Sequence, residues 1–328
     1  MLRTGMKLLA LGVLVGGWYL HQQGLLPALD GFGVKLGAPA DADVSIEAAG
    51  LPPVARQGET IRVASFNIQV FGESKLNKQG VMRLLAQTVR QFDVVAVQEV
   101  RAKGQDILPR FIEMINADGA RHYDFCIGPR LGRTVSKEQY AFIFDTASME
   151  LDRESIYTVD DPDDLLHREP LVAHFRVRGP PREEAFTFTL VNIHTDPDEV
   201  EAEISVLDDV MRAVRNDGRG EDDVILLGDF NADDQHLGEL GQIPGMEWAI
   251  YGQPTNTLGT AMYDNLVFNK RATSEYVGRS EVFDLMREFK LSRAEAQEVS
   301  DHLPVWGEFH VLEGGERGRV ASGGRVVR

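Results

Sequence analysis

The sequence predicts an α/β sandwich built on more than one sheet. Two observations lead there. Apolar, strand-like runs alternate with segments of helical period, and their order mixes hairpins with strand–helix–strand units. A simple doubly wound sheet would show only the second kind of unit. Regular structure begins at Ile61, and the run Ile61-Arg62-Val63-Ala64 leads to Phe66-Asn67. Gly80 to Arg90 carries apolar residues at helical spacing and feeds the strand Asp93 to Val97, which stops on Gln98-Glu99. Ile107, Leu108, Phe111, Ile112 and Ile115 line one side of a second helix, Asp106 to Asn116. Tyr140 to Phe144 and Phe186 to Ile193 read as strands, the latter ending around Asn192 and His194. A third helix, Val200 to Val214, leads into Val224 to Leu227, which halts on Gly228-Asp229-Phe230-Asn231. Tyr263 to Phe268 and Val305 to Val311 complete the series, with Asp301-His302 just ahead of the last run.

The chain has 328 residues, 43% apolar and 26% charged, enough for a substantial core. Its net charge of −17 argues against a broad basic face gripping nucleic acid, though not against an enzyme touching a polyanion through a few arginines and a metal ion. Cys126 is the single cysteine, so no intrachain disulfide forms. Arg3 and Lys7 precede an apolar run from Leu8 to Leu20 that ends in Trp18-Tyr19 and its neighbours, the look of an export signal or a signal anchor over 1–24. Residues 25–58 read as a linker, 59–312 as the folded domain and 313–328 as a disordered Gly/Arg tail. The expectation is an exported monomer, periplasmic, extracellular or held at a membrane by its first segment.

Five strand ends thus deliver Asn67, Glu99, His194, Asp229, Asn231, Asp301 and His302. Mg²⁺ takes oxygen ligands and is usually held by one or two carboxylates plus a substrate phosphate. Clustered Cys and His, the mark of a softer metal, are absent from the sequence. Histidine near its ordinary pKa exchanges a proton at neutral pH. Any one of these residues alone is more often a cap, a turn or a structural histidine. The repetition at five ends points to a cation-assisted phosphodiesterase site.

Ala64-Ser65-Phe66-Asn67-Ile68, Val97-Gln98-Glu99-Val100-Arg101, Gly228-Asp229-Phe230-Asn231-Ala232-Asp233, Tyr263-Asp264 and Ser300-Asp301-His302-Leu303-Pro304-Val305 resemble the signature segments of the endonuclease/exonuclease/phosphatase superfamily. Phe71-Gly72-Glu73, Leu131-Gly132-Arg133, Lys137-Glu138 and Arg168-Glu169-Pro170 favour its deoxyribonuclease I branch, and the likeness runs from about Ile61 to Phe309. The resemblance implies a four-layer α/β sandwich with two central mixed β-sheets. It implies Asn67, Glu99 and Asp301 at a divalent metal, Mg²⁺ or alternatively Mn²⁺. It pairs His194 with Glu138 and His302 with Asp264 for proton handling, sets Asp229 and Asn231 at the attacking water, and places Arg101 and Arg168 on phosphates of DNA. A structural Ca²⁺ is a further expectation at Asp161, Asp164 and Glu169, in the acidic loop from Asp160 to Asp164. A second family calcium site, near Thr255 and Thr257, looks degraded at Gln253. The chain departs from the branch at Gln69 and Asn265, where the pattern has arginines, and at Ser136, where it has a tyrosine. Asp233 and Ala261 stand in place of paired cysteines.

These readings lead to a metal-dependent DNA endonuclease. A membrane-proximal phosphatase or phospholipase-type phosphodiesterase of the same fold stays open, as does a silent phosphate-binding module.

Overall fold

A computed structural model of the chain describes Leu51, residues 59–133 and residues 137–315. The signal or anchor segment, almost all of the linker, Ser136 and residues 316–328 lie outside the described part. Among the described residues no helix is long and apolar enough to cross a membrane.

One sheet contains β1 (Thr60–Phe71), β2 (Val94–Val100), β3 (Tyr123–Ile127), β4 (Gln139–Asp145), β11 (Tyr276–Val282) and β12 (Val305–His310), in the order β11-β12-β1-β2-β4-β3. The other contains β5 (Met149–Thr158), β6 (Leu171–Val177), β7 (Thr187–His194), β8 (Val224–Asp229), β9 (Met246–Trp248) and β10 (Asp264–Asn269), in the order β5-β6-β7-β8-β10-β9. Each sheet mixes one parallel pair, β1–β2 and β7–β8, with antiparallel neighbours. The helices are α1 (Glu73–Leu76), α2 (Gln79–Val89), α3 (Ile107–Asn116), α4 (Val200–Ile204), α5 (Leu207–Arg215), α6 (Leu285–Phe289) and α7 (Arg293–Val299).

Strand periodicity explains the layering. Successive side chains of a strand point to opposite faces. On β7, Phe188 and Leu190 join the core between the sheets, while Val191 and Ile193 join a second core with Ile204, Leu207, Val210 and Met211 of α4 and α5. On β8, Ile225 and Leu227 face inward, whereas Val224 and Leu226 take the helix side. Both faces are covered, so these strands read as unbroken apolar runs. With α2 and α3 packed on the outer face of the first sheet, the molecule is the expected four-layer α/β sandwich.

Between the sheets lies a small polar clamp. Gln98 Nε2 donates to Asn192 Oδ1 at 2.7 Å, and Asn192 Nδ2 donates to the carbonyls of Val97 and Ala141, each at 3.1 Å. Every one of these groups is buried, so losing one partner strands the others at a cost of about 1–3 kcal/mol. Gln98 and Asn192, which stand near strand ends beside Glu99 and His194, are therefore fasteners.

Two other expectations change, and one strand has no sequence signal. The single helix from Val200 to Val214 breaks at Ser205 and Val206. Glu203, at the break, is buried and accepts from the backbone N–H groups of His167 and Asp196. The edge strand β5 carries Glu150, Asp152, Arg153 and Glu154 and has no apolar period to betray it. The fold also continues past residue 312. Leu312 bridges Ala185, Glu313 N–H donates to Glu184 O, and Gly314 N–H donates to Glu275. Cys126 is buried, and burial pushes its thiol up to about 12.

Gly228 is fixed by space as well as by its positive φ of 154°. A Cβ there would stand 1.9 Å from the carbonyl oxygen of Ile193 on β7. Gly228→Ala should lower stability by about 3 kcal/mol or more, or prevent accumulation of folded protein. Urea unfolding followed by circular dichroism checks this, and a change within 0.5 kcal/mol (roughly that of an ordinary surface substitution) would refute the close approach.

Candidate active site

Strand register assembles the centre. In the parallel β7–β8 pair His194 stands opposite Asp229, and in the antiparallel β8–β10 pair Asp229 stands opposite Asp264. Asn67 and Glu99 come from β1 and β2 where both strands lose regular register. Glu99 has φ 61° and Val70 φ 47°, left-handed values that ordinary residues rarely adopt. The irregularity lets Asn67 Nδ2 reach Glu99 Oε1 at 3.3 Å and lets Val70 N–H donate to Glu99 Oε2 at 2.8 Å. Glu99 is thus inside a bulged strand, where the sequence suggested a straight strand's end.

Asp229 Oδ2 is the hub. It accepts from Asn67 Nδ2 at 2.9 Å and lies 3.5 Å from Nε2 of both His194 and His302. Each imidazole is backed by a carboxyl group on its other nitrogen. His194 Nδ1 is 2.6 Å from Glu138 Oε1, and His302 Nδ1 is 2.8 Å from Asp264 Oδ2. Thr255 Oγ1 donates to the same Asp264 oxygen at 2.8 Å. Two histidine–carboxyl couples therefore face one acid across the site.

The charges follow from this packing. Burial acts first to lower His194, but the Glu138 charge and hydrogen bond and then Asp229 outweigh it, so its pKa is raised from 6.5. Glu138 is shifted oppositely. Burial favours its neutral form, yet His194, Arg168 and Arg101 together lower it. Burial alone depresses His302 and lifts Asp264. Face to face, the two share one proton. It belongs on His302, whose pKa ends well above 6.5, because Asp229 also faces that ring.

A cation cradle lies beside the couples. Asn67 Oδ1 and Asp301 Oδ1 are buried oxygens with no hydrogen-bond donor. Asp301 Oδ2 accepts from Gln69 Nε2 at 3.0 Å. Ser300 Oγ donates to Asn67 O at 2.8 Å and ties the two segments together. One amide and one carboxylate offering undonated oxygen, with the Glu99 carboxylate next to Asn67, suit a hard divalent ion such as Mg²⁺. Asp229, Asp264 and His302 also bring ligand-type atoms within 4.8 Å of one another, but these atoms are engaged in the proton-sharing contacts.

Other predicted residues sit differently. Asn231 has φ 48°, so it is not in an extended turn with Asp229. Its N–H donates to Asp229 Oδ1 and its Nδ2 to Thr195 O, which anchors it at the rim. Arg101 Nη2 pairs with Glu99 at 3.1 Å and with Glu138 at 3.5 Å. Arg168 is only 5% exposed, and its Nε contacts Glu138 and His194 O, so it steadies a couple and is not spread along an open face. Among the described residues the Asp161, Asp164 and Glu169 carboxylates do not converge into a cation site. Asp161 accepts from the N–H groups of Leu165 and Leu166, and Asp164 pairs with Arg133. Asn265 is no truncated DNA contact either. Its amide clamps both backbone groups of Ile250. Thr257 Oγ1 donates to Ser300 O, so the hydroxyls of the degraded second calcium motif hold the site together instead.

The sequence reading missed Lys75. It is buried, its Nζ donates to Val299 O at 2.8 Å, and burial lowers it to about 8 against the pull of Asp301 and Glu99. Lys75 has no local sequence signal, because its partners are distant in the chain. Tyr263, from the Tyr263-Asp264 segment, brings its ring to 5.7 Å from that of His302.

The sequence profile of the Endonuclease/Exonuclease/phosphatase family matches residues 64–302. Deoxyribonuclease gamma of Rattus norvegicus is 32% identical over 262 residues, covering 75% of this chain and 83% of the relative. Deoxyribonuclease-1-like 1 of Mus musculus is 32% identical over 257 residues, covering 75% and 79%. Among solved structures, an endonuclease/exonuclease/phosphatase family protein from Bacteroides thetaiotaomicron superposes with a TM-score of 0.51 at 17% identity, over 79% of this chain and 99% of that one. The human Nocturnin catalytic domain gives 0.51 at 16% identity, over 76% and 94%. The two structural likenesses speak to fold alone.

The His194–Glu138 couple makes a direct prediction. In Glu138→Gln the neutral amide no longer favours the imidazolium, while burial still opposes it. The His194 titration midpoint should move to lower pH than in the wild type. NMR titration of the ring protons measures this, and an unmoved midpoint would remove Glu138 from its assigned role.

Proposed function

The chain belongs to the endonuclease/exonuclease/phosphatase family, and from that premise we propose that it is a metal-dependent phosphodiesterase that cuts DNA internally. One observation carries this reading: two buried histidine–carboxyl couples converge on Asp229 beside undonated oxygens of Asn67 and Asp301. The likeness to deoxyribonucleases supports DNA as the substrate.

In this reading Asn67, Glu99 and Asp301 hold Mg²⁺, which when bound offsets negative charge on the phosphate. Asp229 and Asn231 position a water molecule for attack on phosphorus. As the new P–O bond forms, the bond to the leaving oxygen breaks. The water's proton passes to the Asp229 carboxylate, and the imidazolium of His194 or His302 gives one to the leaving oxygen. The raised pKa values of His194 and His302 keep that proton available at neutral pH. Arg101 and Arg168 hold Glu99 and Glu138 in place and lend positive charge near the phosphate. We further propose export or membrane anchoring through the basic, then apolar, first segment.

Supercoiled plasmid tests the reading. The full chain with Mg²⁺ should nick it, and chelation should stop the reaction. His194→Ala should lower the rate by about 10²–10⁴-fold, and Glu99→Gln should raise the Mg²⁺ concentration needed. Equal inertness of wild type and His194→Ala toward plasmid, with turnover of a phospholipid or phosphomonoester, would reject DNA cleavage.

A further inference from the structure

The other end of β8 holds a second group of acids. Asp223 immediately precedes β8, whose six residues end at Asp229, so the group lies about 20 Å from the active site. Asp223, Glu275 and Glu313 each bring a carboxyl oxygen within 4.8 Å of the other two. Asp223 also forms such a trio with Glu221 and Asp222. These residues come from chain segments of both sheets: Asp223 leads into β8, Glu275 leads into β11, and Glu313 follows β12.

An acidic patch on a surface would mean little, but this one is partly interior. Asp223 and Glu275 are each 1% exposed. Asp223 Oδ1 and Glu275 Oε2 have no hydrogen-bond donor. The frame orients the group: Gly314 N–H donates to Glu275 Oε1, Thr187 N–H to Glu313 Oε2, and Thr187 Oγ1 to the neighbouring Glu221 Oε2. Among the described residues no Lys, Arg or His lies within ion-pairing distance of Asp223, Glu275 or Glu313, and the nearest such contact is His174 with Glu221 at 3.8 Å. Buried carboxylates without a countercharge are strongly disfavoured. Burial, then Glu275, accordingly pushes Asp223 up to about 9, and Glu275 and Glu313 are raised as well.

We propose that Asp223, Glu275 and Glu313 bind a structural Ca²⁺ ion that clamps the two sheets together at the end remote from catalysis. Several carboxylate oxygens in an irregular array suit Ca²⁺, which accepts flexible coordination, better than Mg²⁺, which requires a near-ideal octahedron. None of the three belongs to the Asp160–Asp164 loop where the sequence suggested calcium.

Thermal unfolding of the full chain, stripped with EDTA and then supplied with CaCl₂, tests this. At about 100 times the dissociation constant, Ca²⁺ should raise the wild-type Tm by roughly 5–10 °C, and MgCl₂ should give less. Asp223→Asn should lose the Ca²⁺ response, yet in EDTA it should be at least as stable as wild type, because it removes an uncompensated buried acid. Glu313→Gln, at an exposed position, should weaken the response should Asp223→Asn fail to fold. The rise should persist in Glu99→Gln. No Ca²⁺ response in the wild type, or an undiminished one in both Asp223→Asn and Glu313→Gln, overturns the proposal. So does a response lost only in Glu99→Gln, which would put the ion at the active site.

Discussion

Asp229 Oδ2 is the point on which the structure turns. It touches Asn67 from the first sheet, His194 from the second, and His302 from the loop ahead of β12. No single element holds these groups. Their meeting depends on two sheets packed at one fixed spacing and on strand registers correct to the residue. A one-residue slip in β7 or β8 would turn His194 or Asp229 toward the helix layer. The Gln98–Asn192 clamp and the close approach of Gly228 to Ile193 both act on that alignment. Geometry of the core and chemistry at its edge are thus one problem.

The site is also economical with positive charge. Arg101 and Arg168 are committed to Glu99 and Glu138, and Gln69 is bonded to Asp301. Together with a net charge of −17, this means that in the proposed reading a substrate polyanion would be drawn mainly by the cation and the imidazolium rings. The arrangement fits a chain whose acid–base groups resemble those of the family while its flanking residues differ.

How much was legible in the sequence follows from what makes a residue's role local. Strands buried on both faces, such as β7 and β8, announce themselves as apolar runs, and the polar residues that end them mark the site's edge. Edge strand β5 has no such signal, because half its side chains are exposed. Glu138 and Asp264 came into view through family resemblance and not through any run of their own. The left-handed backbone at Glu99 and Asn231 and the burial of Arg168 belong to the packed state and leave no mark in the chain. Calcium illustrates the limit. The stretch from Asp160 to Asp164 looks like a ligand loop, but Asp161 caps its own backbone and Asp164 pairs with Arg133. Asp223, Glu275 and Glu313 converge in space from segments far apart in sequence, and no motif search would join them.

The lone, interior Cys126 has a practical meaning. Its thiol is too basic to ionise near neutrality, and no second sulfur exists to pair with it. The domain therefore needs no oxidising folding machinery. Reductant should leave its covalent frame unchanged.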